Sequence, residues 1–397
     1  MASLDVRTKF DAPRASMVNL PPMTSRRRFL AAGAAATLAA QSPGRLRLAI
    51  IGTGHRGWAH INVIRAGSLP IQIVALADPT PEFLDRAASL AGPGVKTFSD
   101  YRKMLAEVPG LDAVLVVTPN FLHAETTIAA LDRGLHVLCE KPMATAVADA
   151  DRMIQAAARN KRILQVGQQM RYTPLYERLA ALVKEGAAGQ VKFVSGNLFR
   201  GDWNPRSWRY QGRVWRFLTQ PTGSSLLEDG IHEIDVIHWL VGARVARVFA
   251  SGGNSVLTGR ETIDHAAIVI EYENGVKVDF GFSLFGQNSG PAGREIFVLG
   301  TEGNLSPAGN RITLRKRSGG EPVLIDAADP TPAAVGQRPA GKDEDSGSYR
   351  QLVALLDSIR TGRPPVCDGA VGRDAIKISL LAEKSLRERR IMNWSDL

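Results

Sequence analysis

Four side chains in this sequence have the types and spacing needed to move a proton to or from an alcohol. Glu228, His232 and Asp235 recur at intervals of four and three residues, so on a helix they share one face. A histidine near its ordinary pKa can both accept and return a proton at neutral pH. A carboxylate one turn away can orient that ring or hold a substrate hydroxyl. The fourth side chain is Lys141, in the run Glu140-Lys141-Pro142. An ammonium there can donate to a hydroxyl and stabilise the oxygen as negative charge develops on it. Pro142 would supply a fixed turn, or a cis bond, that aims the lysine. His232 and Asp235 are also metal-binding types, but no convincing further ligands accompany them, so no metal is expected. Cys139 ends an apolar run and is expected to be a buried thiol, whereas Cys367 lies near a loop. Two cysteines are too few for a disulfide framework, and neither is marked as a nucleophile.

These groups need a scaffold, and the first half of the chain describes one. An apolar strand at Arg47–Ile51 runs into Gly52-Thr-Gly54-His55-Arg56-Gly57, and a helical pattern follows to Ala66. The first glycine permits a tight turn, the second lets a pyrophosphate approach the backbone, and the third allows close helix–strand contact. Free N–H groups at the helix start then face the phosphate. A second strand, Ile71–Ala77, ends at Asp78, about 20 residues beyond Gly57, where a carboxylate can accept from both hydroxyls of an adenosine ribose. Asp78 would repel a 2′-phosphate, which favours NAD, while Arg56 keeps NADP open. Further strands at Ala113–Val117, His136–Cys139 and Ile163–Val166 alternate with helices near 82–90, 99–106, 121–133 and 145–160. That rhythm specifies a parallel, doubly wound sheet over residues 46–168. Thr118, Asn120 and His123 fall on its ligand side, as does the Glu140–Pro142 turn.

From residue 169 to 397 the rhythm changes. A helix near 174–186, a strand at Val191–Phe199 and a helix from about 224 to 241 precede alternating segments at 244–251, 264–273, 276–284 and 293–299. These read as antiparallel strands. Loops are expected at 286–293 and 316–343, and two helices, near 347–359 and 371–388, close the chain. Between the first strand and its helix lies Arg200-Gly-Asp202-Trp-Asn204-Pro-Arg206-Ser-Trp208-Arg209-Tyr210. Its aromatics and arginines either stack on a sugar face and donate to its hydroxyls, or pack the loop against an interface. Trp208, Arg209 and Tyr210 are therefore candidate substrate contacts.

Residues 1–45 form a leader. Ser25-Arg26-Arg27-Arg28-Phe29-Leu30 precedes an eleven-residue apolar run, Leu30–Ala40, too short to span a bilayer. Small residues at Ala39 and Ala40 complete the pattern of a cleavable twin-arginine signal, with Met17 or Met23 as alternative starts. The implied partner is the twin-arginine (Tat) export machinery, and the implied location is the periplasm or the exterior, with no stable membrane insertion after cleavage. The formal charge is +10, and the leader carries much of it. No aromatic-interleaved basic stripe accompanies it, so no nucleic-acid partner is expected.

The glycine run at Gly52, Cys139-Glu140-Lys141-Pro142 and Leu226-Leu227-Glu228-Asp-Gly-Ile-His232-Glu-Ile-Asp235 together resemble the Gfo/Idh/MocA family of nicotinamide-dependent oxidoreductases, over essentially all of residues 46–390. The resemblance implies an N-terminal Rossmann domain plus a C-terminal α/β domain whose open, mostly antiparallel sheet often forms a dimer face. It implies bound NAD, a sugar or sugar-derived substrate and a homodimer or homotetramer. Lys141 would contact the hydroxyl being oxidised and His232 would act as general base. Glu228 stands where many members carry Asp. Gln169-Met-Arg171-Tyr172 matches a segment near nicotinamide and substrate, adding Gln169 and Arg171 to the site. A few relatives use bound NAD to hydrolyse glycosides through transient oxidation. This chain lacks their histidine segment, so hydrolysis ranks second and a non-enzymatic NAD-binding scaffold third.

Overall fold

The apolar runs of the first half become parallel strands because neither of their faces meets water. In the computed structural model, which describes residues 44–201, 214–286, 294–328 and 344–397, β1 (Leu46–Ile51) leads through a glycine turn into α1 (His55–Ala66). Then come β2 (Ile71–Ala77), α2 (Pro81–Ala91), β3 (Lys96–Phe98), α3 (Tyr101–Glu107), β4 (Ala113–Val116), α4 (His123–Asp132), β5 (His136–Cys139), α5 (Val147–Asn160) and β6 (Leu164–Val166). The sheet order is β3-β2-β1-β4-β5-β6, and every pairing is parallel. The chain winds outward from β1 to β3 and then returns to lay β4 on the other side of β1. The carboxyl ends of β1 and β4 therefore open a crevice at the switch point, where such sheets take ligands.

Past α6 (Pro174–Lys184) the chain builds a nine-stranded sheet. Its first strand is β7 (Val191–Phe199), followed by a short helix, α7 (Thr219–Thr222), and by α8 (Ile231–Val241). The remaining strands are β8 (Val245–Gly253), β9 (His265–Tyr272), β10 (Lys277–Ser283), β11 (Arg294–Gly300), β12 (Gly303–Ala308), β13 (Arg311–Lys316), β14 (Val323–Asp326) and β15 (Met392–Asn393). Only β7 and β10 pair in parallel; the other ladders are antiparallel. Alternate residues bury Val194, Leu198, Ile268, Ile270, Val278 and Phe280 on one face, against α8. Burying a side chain of this size contributes about 1.5–3 kcal/mol each.

Two helices tie the sheets together. In α8, Ile231 joins the core of the first sheet and Ile234 and Ile237 that of the second. In α10 (Gly369–Glu388), Ala375 and Ile376 face the first core while Ile378 and Leu381 face the second. The helix before it, α9 (Glu344–Thr361), sends Leu352 and Leu355 against Leu48, Ile50 and Leu138 of the parallel sheet.

Three expectations need correction. β3 was not expected, because its three residues are mostly exposed and carry no apolar run. β12 to β14 extend the second sheet through a stretch whose latter part reads as loop. Gly303–Ala308 is too polar to signal a strand, and Val323–Asp326 has only four residues at the sheet edge. The expected helix over 224–241 is a π-helical turn, Leu226–Gly230, running into α8. That extra width falls on the segment bearing Glu228.

Candidate active site

The glycine turn is shaped for a dinucleotide. Gly52 has φ +92, and a Cβ there would lie 2.5 Å from the Val117 carbonyl carbon and oxygen at the end of β4. A Cβ on Gly57 would meet the Gly52 oxygen at 2.6 Å, so the third glycine permits the close approach of α1. Around Gly54 the nearest atom is 4.0 Å away, leaving room for a ligand over the turn. No side chain caps the start of α1, and its first N–H groups remain available to an anion. Asp78 is buried at the end of β2. Its two oxygens accept from Thr53 N–H at 2.7 Å and Thr80 N–H at 2.9 Å, which fixes the carboxylate beside the turn. Positive φ, open space over Gly54, uncapped N–H groups and a fixed carboxylate all fit NAD.

Behind the turn lies a buried ionic cluster. Oε1 of Glu140 accepts from Arg56 Nε at 2.8 Å and faces His60 Nε2 at 2.7 Å, while Oε2 accepts from the Lys141 N–H at 3.2 Å. Burial works against the ionised carboxylate, but the charge of Arg56 and the contacts from His60 outweigh it. Glu140 is held well below the usual carboxylate range. Gly167 makes the clamp fit, since a Cβ there would lie 2.9 Å from Oε2 of Glu140. Arg56 also donates to Gln169 Oε1 at 3.2 Å and Ser348 Oγ at 3.1 Å.

Lys141 begins a turn whose bond to Pro142 is cis. Its Nζ donates to the Glu228 carbonyl at 2.6 Å and stands 3.8 Å from Glu228 Oε1. Burial, reinforced by nearby Arg216, lowers the lysine to about 8, while Asp229 and Glu140 pull it back up. Glu228 is buried at 5% exposure. It accepts from Arg216 at one oxygen and from Asn120 Nδ2 at the other, at 2.8 Å. Asn120 also donates to the Thr222 carbonyl at 3.2 Å, so it bridges the two sheets' segments. His232 is buried one turn further, in α8. The crevice of the parallel sheet and the π-turn thus bring Lys141, Asn120 and Glu228 into contact, with His232 on the adjoining helix.

Other expected site residues sit elsewhere. Arg171 and Asp235 are both buried and pair through two contacts, Nε to Oδ2 at 2.7 Å and Nη2 to Oδ1 at 2.8 Å. With Trp239 beneath the guanidinium at 5.2 Å, Arg171 pins α8. Its Nε and Nη2 are directed at Asp235. Asp235 in turn is committed to Arg171 and does not orient His232. His123 is also buried, with Nδ1 2.7 Å from the Pro142 carbonyl and Nε2 2.8 Å from the Thr118 carbonyl. Burial pushes its ring toward the neutral form. In that form one nitrogen donates to one of the two carbonyls, and the ring sits between two ligand-side loops. His55 lies outside the cluster, against Trp58 at 4.7 Å. Trp208, Arg209 and Tyr210 lie outside the described residues.

Sequence reasoning missed Arg216 and His60. Arg216 stands in an excursion where its polar neighbours drew the attention, and only the fold delivers it to Glu228. His60 follows Arg56 by four residues, a same-face spacing that was legible. Among the described residues no group of three or more His, Cys, Asp or Glu is arranged to hold a metal. No described helix is long and apolar enough to cross a membrane.

Comparisons with known proteins agree with this fold. Residues 46–168 match the family model described as "Oxidoreductase family, NAD-binding Rossmann fold", and residues 176–306 match the "GFO/IDH/MocA C-terminal domain". The chain is 32% identical to the rhizopine catabolism protein MocA of Rhizobium meliloti, over 50% of this chain and 58% of that protein. It is 26% identical to a myo-inositol 2-dehydrogenase of Thermotoga maritima, over 89% of this chain and 99% of that protein. The match spans between 58% and 66% of the length of several curated relatives. Among solved structures, levoglucosan dehydrogenase in complex with NADH superposes with a TM-score of 0.76 at 22% identity, covering 88% of this chain and 98% of that one. At that identity the likeness concerns the fold.

Proposed function

The chain belongs to the Gfo/Idh/MocA oxidoreductase family, and on that premise we propose that it oxidises a secondary hydroxyl of a sugar or related polyol with NAD. One observation carries the proposal: the Lys141 ammonium, presented from the Rossmann side, meets the π-turn of Glu228 at 2.6 Å, one helical turn before His232. Relatives named as inositol 2-dehydrogenases and a levoglucosan dehydrogenase support the substrate class.

Bound NAD would supply the two-electron, hydride-accepting half of the chemistry. The glycine turn and Asp78 would hold its pyrophosphate and adenosine ribose. His232 takes the hydroxyl proton, as a positioned imidazole can. Lys141 is mostly an ammonium below pH 8, and it donates to the same oxygen as charge builds there. Glu228 holds Lys141 in place through its carbonyl and keeps Arg216 and Asn120 around the oxygen-binding space. Arg171 and Asp235 keep α8, and hence His232, in register.

The leader adds a cellular reading. If Arg26-Arg27 directs export of folded protein, NAD is loaded before export and held through turnover, because the exterior offers little free cofactor, and a second substrate, or a redox-neutral cycle, must then return the bound NADH to NAD. The family resemblance further supports a homo-oligomer in solution.

Replacing His232 with Ala tests the site. NAD binding, read by protein fluorescence, should stay within about two-fold of the parent, while turnover on a polyol falls by about 10²–10⁴. Undiminished turnover with equal NAD affinity would remove His232 from the chemistry.

A further inference from the structure

Arg56 occupies the first turn of α1, where a cation invites the reading of a phosphate ligand. The sheet order argues otherwise. β2, which ends at Asp78, lies on one side of β1, whereas β4, β5 and β6 lie on the other. The Arg56 guanidinium reaches toward this second side, to Glu140 just past β5 and Gln169 just past β6. A third partner, Ser348 of α9, is itself buried. A side chain held on that side cannot also lie against a phosphate beside Asp78.

Its contacts lead to the reacting group instead. Glu140 immediately precedes Lys141 and accepts the Lys141 backbone N–H. Its other oxygen is held by Arg56 and His60. Glu140 is therefore a fixed strut under the lysine's turn, and Arg56 fixes the strut. We propose that Arg56 is a positioning residue: it clamps Glu140 against the turn and so sets the orientation and proton affinity of the Lys141 ammonium, and it does not read the cofactor's ribose. The proposal rests on the role of Lys141 in alcohol oxidation given above.

The charged and titratable groups around Lys141 are Glu140 on its own turn, Arg56 and His60 on α1, Arg216 beyond β7, Glu228 and Asp229 on the π-turn, and His232 on α8. His123 on α4 holds the Pro142 carbonyl. Arg216 and Arg56 disfavour the ammonium, while Asp229 and Glu140 favour it. Removing Arg56 takes away one opposing cation and leaves Glu140 less compensated. That single loss raises the proton affinity of Lys141 by roughly a few tenths of a pH unit, since Arg56 acts on the ammonium less than burial and Arg216 do.

The test is competitive acetylation of the NAD-loaded protein between pH 6 and 10.5, with the Lys141 peptide quantified by mass spectrometry. Polyol turnover and the NAD-to-NADP preference are measured on the same samples. The parent should label with a midpoint near 8. Arg56→Gln should move that midpoint up by roughly a few tenths of a unit and slow turnover by about ten-fold, with cofactor preference unchanged. Arg56→Lys, which also covers loss of fold in the glutamine variant, should restore the midpoint. It should not restore full turnover, because one ammonium cannot hold Glu140, Gln169 and Ser348 together. A fixed midpoint together with a several-fold change in NADP preference would overturn the proposal, as would parental turnover in Arg56→Lys. If no polyol is oxidised by the parent yet the midpoint still moves, the proposed reaction fails and the Arg56 linkage stands.

Discussion

Replacing Lys141 with Met should make the cofactor-free protein more stable while removing its activity. The lysine's pKa falls from its ordinary 10.5 to about 8, chiefly because folding buries its charge. At about 1.4 kcal/mol per pH unit, holding that ammonium in the folded state costs about 3 kcal/mol at neutral pH. Met is of similar length and carries no charge. Its introduction leaves the Glu228 carbonyl without the 2.6 Å donor, a loss of about 1 kcal/mol. The net expectation is a gain of about 2 kcal/mol, or a few degrees in Tm. The sign follows from linkage. A lysine whose folded pKa is depressed destabilises fully below about pH 8, less between 8 and 10.5, and not at all above 10.5. The variant's advantage should therefore be greatest at pH 7 and shrink steadily through that window. Urea unfolding at pH 7, 9 and 10.5 measures it, and turnover should fall by at least about 10². A variant less stable at pH 7, or a pH-independent difference, would show that burial does not strain Lys141.

Two further substitutions address the cofactor end. Gly52→Ala places a methyl group 2.5 Å from the Val117 carbonyl at a φ of +92, which should cost about 3 kcal/mol or more; calorimetry and NAD titration would register lost stability and lost binding together. Asp78→Ala strips the Thr53 and Thr80 N–H groups of their acceptor and removes the proposed ribose contact. NAD affinity should fall by about 10–100-fold, with NADP affinity reduced less, as isothermal titration of both cofactors would reveal.

The fold was largely legible because its parallel strands are continuous apolar runs bounded by turn residues, and the glycine spacing announced what lies at their ends. The second sheet was legible only where alternation was strong, as in β9 and β10. β14 carries too few residues to announce itself, and β3 stays half-exposed at a sheet edge. In the site, local spacing singled out Lys141, Glu228 and His232 because each sits in a short motif, and the structure brings Lys141 and Glu228 together. Spacing gave no sign of the Arg171–Asp235 pair or of the carbonyls that face His123. Arg171 and Asp235 are 64 residues apart, and nothing local indicates that the carboxylate one turn from His232 is already taken. Arg216 escaped notice because it stands in an excursion with no regular spacing to Glu228, 12 residues on.

The oxidation itself is tested most directly by incubating the purified protein, with NAD added, against a panel of inositols and sugars while following absorbance at 340 nm. For at least one polyol, absorbance should rise in step with formation of a ketone product, and the Lys141→Met protein should give no rise. No increase at 340 nm with any polyol, alongside release of a free aglycone from a glycoside, would contradict net oxidation and point to a redox-neutral cycle on the same scaffold.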